Sequence, residues 1–238
     1  MNPNEISRTY TVDSVERTAI VAEPLSPVAT SPPAVLFFHG RGAKAESAFK
    51  IGRIRKAWPE ALVVYPQGLP NDTGVGPPGI GWQRGAGIGN DRDVKFVDSI
   101  LSSLTTEYGV EPTRVYACGM SNGGTFALLL MALRAEKFAA FAEAAGAAGR
   151  FLNELATPRR VLFINGRKDH ILPFWAAEKA RDRVLSLSGA VLGEMADGIQ
   201  YWRQGSDERF VGMWAHDGGH VWPKQADERI VEFFQAHV

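Results

Sequence analysis

The sequence of 238 residues contains one cysteine, Cys118, so no intrachain disulfide can form. It has no excess of either charge: Lys plus Arg and Asp plus Glu are both 26, and the formal net charge is zero. No basic run marks a nucleic-acid surface, and no charge block marks a solvated tail. A balance of this kind predicts association near neutral pH, because no net charge keeps molecules apart. No stretch approaches the ~20 apolar residues of a membrane helix; the apolar run 128–133 is short and reads as a buried helix. Met1-Asn2-Pro3-Asn4-Glu5 lacks the basic and apolar regions of a secretory signal, so the expected compartment is the cytoplasm. No histidine and cysteine spacing forms a metal cluster, and neither metal nor cofactor is expected. Cys118 lies in an apolar run and reads as a small buried residue, not a nucleophile.

What is present is ordinary for a globular chain: 45% of residues are apolar. The length suits one α/β domain over 1–238 with a sizeable core. Residues 34–38 and 61–65 are continuous apolar runs, as central parallel strands covered on both faces require. Further strands are expected at 8–12, 17–22, 114–118, 138–144, 161–165, 199–203 and 210–215. Helices are expected at 43–58, 94–108, 125–134, 174–187 and 226–236. The alternation predicts a mostly parallel sheet with helices on both faces. Residues 68–89, rich in Gly and Pro, are too long for a connector and are expected to border the functional site.

The most informative segment is Gly119-Met120-Ser121-Asn122-Gly123 between an expected strand and an expected helix. That strand–turn–helix context is what G-x-S-x-G requires. The turn strains the serine backbone and lifts its hydroxyl clear, while glycines two before and two after remove a steric collision. The amide of Asn122, at the helix start, is placed to stabilise a developing oxyanion.

A serine hydroxyl needs a base to take its proton and an acid to orient that base. The downstream histidines are His170, His216, His220 and His237. His220 is preferred because Gly218-Gly219 lets its loop swing over the sheet edge; His216 ends a strand, and His237 lies in the closing helix. Asp169 follows the apolar strand 161–165 by a short turn, which puts it on the same edge; Asp207 and Asp217 are the rivals. The second oxyanion donor is expected from His39-Gly40-Arg41-Gly42, with the Arg41 amide first choice and His39 structural.

These positions belong to a wider pattern: Phe38-His39-Gly40, Tyr65-Pro66-Gln67-Gly68, Gly81-Trp82, Gly119-Met120-Ser121-Asn122-Gly123-Gly124, Asn165-Gly166-Arg167-Lys168-Asp169 and Gly218-Gly219-His220-Val221-Trp222-Pro223. The chain resembles α/β-hydrolases of the polyhydroxybutyrate depolymerase and feruloyl esterase group, from the first central strand to the final loop. The elbow is shared by many hydrolases; Tyr-Pro-Gln-Gly with Gly-His-x-Trp-Pro is more specific. The resemblance implies a Ser121–Asp169–His220 triad that hydrolyses a carboxylic ester through an acyl-enzyme. Trp222, Trp82, Phe174 and Trp175 are the aromatics expected to wall the acyl or aryl group. Disulfide cysteines, a signal peptide and an adsorption module are not visible, so a small soluble ester is expected rather than a solid polymer. A peptidase or acyltransferase using the same triad, or an inactive hydrolase-fold binding protein, are the alternatives.

Overall fold

The computed structural model describes residues 5–28, 31–71, 79–147 and 149–236. Its strands are β1 (Glu5–Val12), β2 (Val15–Ala22), β3 (Ala34–Phe38), β4 (Leu62–Pro66), β5 (Leu69–Asn71), β6 (Gly79–Gly81), β7 (Val115–Met120), β8 (Ala140–Ala144), β9 (Arg160–Gly166), β10 (Val191–Ala196), β11 (Ile199–Gln204) and β12 (Asp207–His216). Its α-helices are α1 (Ala45–Ile51), α2 (Ile54–Ala57), α3 (Arg92–Tyr108), α4 (Asn122–Arg134), α5 (Phe174–Ser188) and α6 (Ala226–Gln235). Ten strands form one sheet in the order β1-β2-β4-β3-β7-β8-β9-β12-β11-β10. From β4 to β12 every pairing is parallel, and antiparallel hairpins extend both edges.

The core follows from the apolar runs. All residues of β3 and β4 are buried, because helices cover both faces of a parallel sheet. Phe38, Phe126, Phe141 and Phe163 pack on one face beneath α3, α4 and α5. Phe37, Tyr65, Tyr116 and Phe234 pack on the other, beneath α1, α2 and α6. Helix α4 is buried from Asn122 through Met131, which is why its sequence shows no polar face.

The topology locates the site. The chain passes from β3 to β4 on one side of β3, then returns to β7 on the other. Such a reversal leaves a crevice outside the carboxyl ends of β3 and β7. His39 to Gly42 leave β3 at that edge, and Ser121 leaves β7 there.

Three elements differ from the sequence expectation. The helix expected over 43–58 breaks into α1 and α2 at Gly52 and Arg53. Gly52 lies against the Phe37 ring with no room for a Cβ, and the Arg53 N–H donates to Asp227 Oδ1 of α6 at 2.7 Å instead of continuing the helix. Residues 68–89 are not all loop: β5 and β6 form a small antiparallel ribbon, and residues 72–78 lie outside the described residues. Strand β10 was not expected, since exposed Val191, Leu192 and Met195 around Gly193 give no inward–outward alternation. Among the described residues no helix is long and apolar enough to cross a membrane.

Candidate active site

Ser121 sits between β7 and α4 at φ 55° and ψ −121°, a region that costs a residue with a Cβ about 1–3 kcal/mol. Two backbone bonds hold it there: its N–H donates to the Ala144 carbonyl at 2.8 Å, and the Thr125 N–H donates to its own carbonyl at 2.9 Å. The flanking glycines serve as expected and also do more. A Cβ on Gly119 would stand 2.5 Å from the Gly123 carbonyl carbon. A Cβ on Gly123 would enter the Phe38 and His39 carbonyls, so the second glycine lets α4 approach the end of β3.

His220 Nε2 is 2.9 Å from Ser121 Oγ, and His220 Nδ1 is 2.7 Å from Asp169 Oδ2. The second Asp169 oxygen, Oδ1, accepts the N–H groups of Ile171 and Leu172, both at 2.8 Å. Burial raises the affinity of Asp169 for a proton, but the Leu172 amide, His220 and the Ile171 amide outweigh it and hold the carboxyl below its ordinary range. Asp169 is therefore an anion whose Oδ2 faces the imidazole. The His220 loop is locked onto β9: Lys168 N–H donates to the Gly218 carbonyl at 3.0 Å, and Gly166 abuts the Gly218 and Gly219 backbone where a Cβ would collide.

The other sequence candidates lie elsewhere. Asp207 pairs with Arg160, whereas Asp217 is exposed. His216 Nδ1 accepts the Gly218 N–H at 3.1 Å, His170 is exposed, and His237 lies outside the described residues.

The loop after β3 lies against the serine: a Cβ on Gly40 would be 3.5 Å from Ser121 Cβ. The Arg41 amide is thus next in sequence to a residue in contact range of Ser121. The Asn122 amide occupies the first turn of α4, where helix N–H groups have no intrahelical acceptor. Neighbouring segments brace this loop. Gly42 N–H donates to the Ile80 carbonyl of β6 at 2.8 Å. His39 Nδ1 faces the Gly40 carbonyl at 2.8 Å, while Nε2 accepts the Gly68 N–H at 3.0 Å. A carbonyl can only accept and an amide N–H only donate, so His39 carries its proton on Nδ1 and is neutral. Burial also depresses its pKa, in keeping with a structural role.

Trp82 requires a correction. It is wholly buried, stacked on Phe126 at 5.2 Å and edge-on to Phe38 at 5.2 Å, and its indole N–H donates to the His39 carbonyl at 2.9 Å. A ring with no exposed surface cannot wall a substrate; it supports the loop that approaches Ser121. Trp222 also points inward, with its ring 4.9 Å from Phe37 and its Nε1 donating to Asp227 at 3.4 Å. Phe174 is half-buried beneath the Arg167 guanidinium. Trp175 is 63% exposed, as are Ile171 at 67% and Val221 at 46%. Ile171 and Val221 lie within two residues of Asp169 and His220, and Trp175 opens the first turn of α5 a few residues beyond.

Sequence reasoning missed the supports. Gln83 is buried; its N–H donates to Asp93 Oδ2 at 2.8 Å, and Asp93 Oδ1 pairs with Arg17 Nη2 at 2.8 Å with both side chains almost fully buried. The signal available was the Trp82-Gln83 pair itself: large and polar groups inside a glycine-rich loop must find partners. Among the described residues no group of three or more His, Cys, Asp or Glu is arranged to hold a metal.

No family model matches the chain. A protein named "Probable feruloyl esterase C" from Aspergillus niger is 26% identical over 193 residues, covering 76% of this chain and 67% of that protein. An esterase-named protein, NocK of Nocardia uniformis, is 32% identical over 60% of this chain and 41% of its own length. A bifunctional acetylxylan esterase/xylanase from Neocallimastix patriciarum is 30% identical over 49% of this chain, which spans only 16% of that relative. Among solved structures, an acetyl xylan esterase from Aspergillus awamori superposes with a TM-score of 0.79 at 13% identity, covering 97% of this chain and 99% of the other. An S-formylglutathione hydrolase from Agrobacterium tumefaciens gives 0.70 at 14% identity over 98% and 95% of the two chains. At such identities the structures speak for the fold. They show the α/β-hydrolase fold, and the sequence relatives to which the chain is similar carry esterase names, feruloyl esterase among them.

Proposed function

We propose that the chain hydrolyses carboxylic esters through an acyl-enzyme on Ser121. The observation that carries this is the chain of contacts from Ser121 Oγ to His220 Nε2 at 2.9 Å and from His220 Nδ1 to Asp169 Oδ2 at 2.7 Å. His220 takes the hydroxyl proton as Oγ attacks the ester carbonyl. The resulting oxyanion is met by the amides of Asn122 and Arg41. The imidazolium, stabilised by the Asp169 anion, then gives its proton to the departing alcohol. A water repeats the sequence on the acyl-enzyme: His220 takes its proton, the hydroxide attacks, and Ser121 recovers a proton as the carboxylic acid leaves.

The substrate proposed is a small soluble ester with an apolar acyl or aryl group. Exposed apolar Ile171, Trp175 and Val221, close in sequence to Asp169 or His220, support it, as do the acetyl and feruloyl esters named for the relatives. A nitrophenyl acetate and butyrate assay with an organophosphonate labelling experiment tests the reading. Turnover with a single phosphonate on Ser121, both absent in Ser121→Ala, is the expected result. Turnover surviving in folded Ser121→Ala overturns it.

A further inference from the structure

Glu143 is a carboxylate-type side chain in a place that suits no anion. It lies in the middle of the parallel sheet, in register with Gly119 of β7 and Phe163 of β9, and is fully buried. Its side chain shares the face of Phe141 and Phe163 beneath α4, and its Cβ would be 3.3 Å from a Cβ on Gly124. One carboxyl oxygen, Oε2, accepts the Gly146 N–H at 2.5 Å. The other, Oε1, is buried with no partner. An ionised carboxylate needs donors on both oxygens, and a bare one in the interior costs several kcal/mol.

The neighbouring strand holds the complementary vacancy. Asn165 of β9 is buried; its Nδ2 donates to the Gly146 carbonyl at 3.4 Å, and its Oδ1 has no donor. Two acceptors without donors in adjacent strands are reconciled by one proton. We propose that Glu143 is held as a neutral carboxylic acid whose Oε1–H donates to Asn165 Oδ1, and that this bond is a positioning device joining the nucleophile elbow to the strand that carries Asp169. The elbow end of the link is short: Ala144 accepts the Ser121 N–H, and Ala147 N–H donates to Thr125 Oγ1 at 3.2 Å in the first turns of α4. The acid end is equally short, because Gly166 follows Asn165 and its carbonyl accepts the Asp169 N–H at 3.2 Å.

The charged group that acts on Glu143 is Asp169, a like charge that favours the neutral form. Gly119 of β7, Gly124 and Thr125 of α4, and Phe163 of β9 offer no titratable side chain. Burial is the largest influence and pushes the carboxyl up to about 8, against the opposing Gly146 amide and Asn165 side chain. The consequence for the reaction is that Glu143 adds no second negative charge beside Asp169 at neutral pH.

The activity arm of the test rests on the ester-hydrolase reading; two other arms do not. Glu143→Gln replaces the acid by an amide that still donates and never ionises. Expected is turnover within about twofold of the parent at pH 7 with an unchanged KM, and an alkaline limb that stays flat where the parent declines through about pH 8. Glu143→Ala is expected to lower kcat by roughly tenfold or more with KM unchanged. Infrared difference spectra should show a protonated carboxylic-acid carbonyl band in the parent that is absent in Glu143→Gln. In unfolding experiments the parent should lose stability relative to Glu143→Gln between the ordinary carboxyl value of 4.5 and about 8, by up to about tenfold in the unfolding equilibrium per pH unit. The direction follows because the folded state keeps a proton that the unfolded chain has released. Loss of turnover in folded Glu143→Gln as severe as in Glu143→Ala, superimposed alkaline limbs, or no carboxylic-acid band would overturn the proposal. Should the parent prove inactive on every ester, the infrared and stability arms still decide it.

Discussion

The side chain of Asn122 grips the backbone of Trp82 at both ends: Oδ1 accepts the Trp82 N–H at 2.7 Å and Nδ2 donates to the Trp82 carbonyl at 3.2 Å. The residue after Ser121 thus fixes the glycine-rich segment that supports the loop after β3. In Asn122→Ala the Trp82 carbonyl keeps the Asn71 amide at 2.7 Å, but its N–H is left buried without an acceptor. The expected cost is about 1–3 kcal/mol in denaturant unfolding. Because the backbone amide of residue 122 is unchanged by this substitution, any fall in kcat reports the position of the supporting loop.

Asp169→Asn separates the charge from the shape. The amide is isosteric with the carboxylate but cannot stabilise an imidazolium, and it favours the wrong histidine tautomer. The expected loss is about ten-thousandfold in turnover with little change in KM. Asp217→Asn and Asp207→Asn should remain within about tenfold of the parent, since one side chain is exposed and the other pairs with Arg160. A healthy Asp169→Asn beside a dead Asp217→Asn would move the acid to the His220 loop.

The central strands β3 and β4 were legible because each is a continuous apolar run of the right length, and the elbow because glycine spacing around Ser121 reflects a collision that every such turn must avoid. Ser121, Asp169 and His220 could be picked out as candidates because they follow strand ends that topology carries to one edge. What stayed hidden depends on partners distant in sequence. The break at Gly52 is set by the Phe37 ring and by Asp227 on α6. Trp82 reads as a pocket aromatic until Asn122, His39 and Phe126 are seen around it. Periodicity in β10 is masked because exposed apolar residues, Val191 and Leu192, stand on both of its faces and a register shift follows Leu192; an edge strand exposed on both sides gives no alternating signal.

The pair Arg17–Asp93 bears on stability through its burial. Asp93 also accepts the Gln83 N–H, and Arg17 stacks over Phe96 at 4.2 Å. Removing one partner strands the other charge in the interior, so Asp93→Ala is expected to cost about 3–5 kcal/mol. The combined Arg17→Met and Asp93→Leu variant should be milder than Asp93→Ala, because it removes both charges while keeping volume. A double variant worse than the single would show that the bonds of Arg17 to the Arg92 and Gln67 carbonyls, rather than the charge pair, dominate.

Trp222 and Trp175 provide a contrast that tells an anchor from a wall. Both were expected beside the substrate, yet one is turned toward Phe37 and Asp227 and the other is 63% exposed. Trp222 lies two residues after His220, so its packing against the sheet fixes one end of the loop that carries the imidazole. Trp222→Ala should therefore destabilise the fold by about 2 kcal/mol, less than the ~3–5 for a fully buried aromatic. It should lower kcat alike for acetyl, butyryl and aryl esters, because it displaces the base rather than the acyl group. Trp175→Ala should leave the melting temperature within error, since an exposed side chain stabilises little. Its effect should fall on KM, rising by about threefold to tenfold for long or aryl acyl groups and little for acetate, as expected when uniform binding is lost. A Trp222→Ala protein of parental stability with altered chain-length preference would make Trp222 the wall instead.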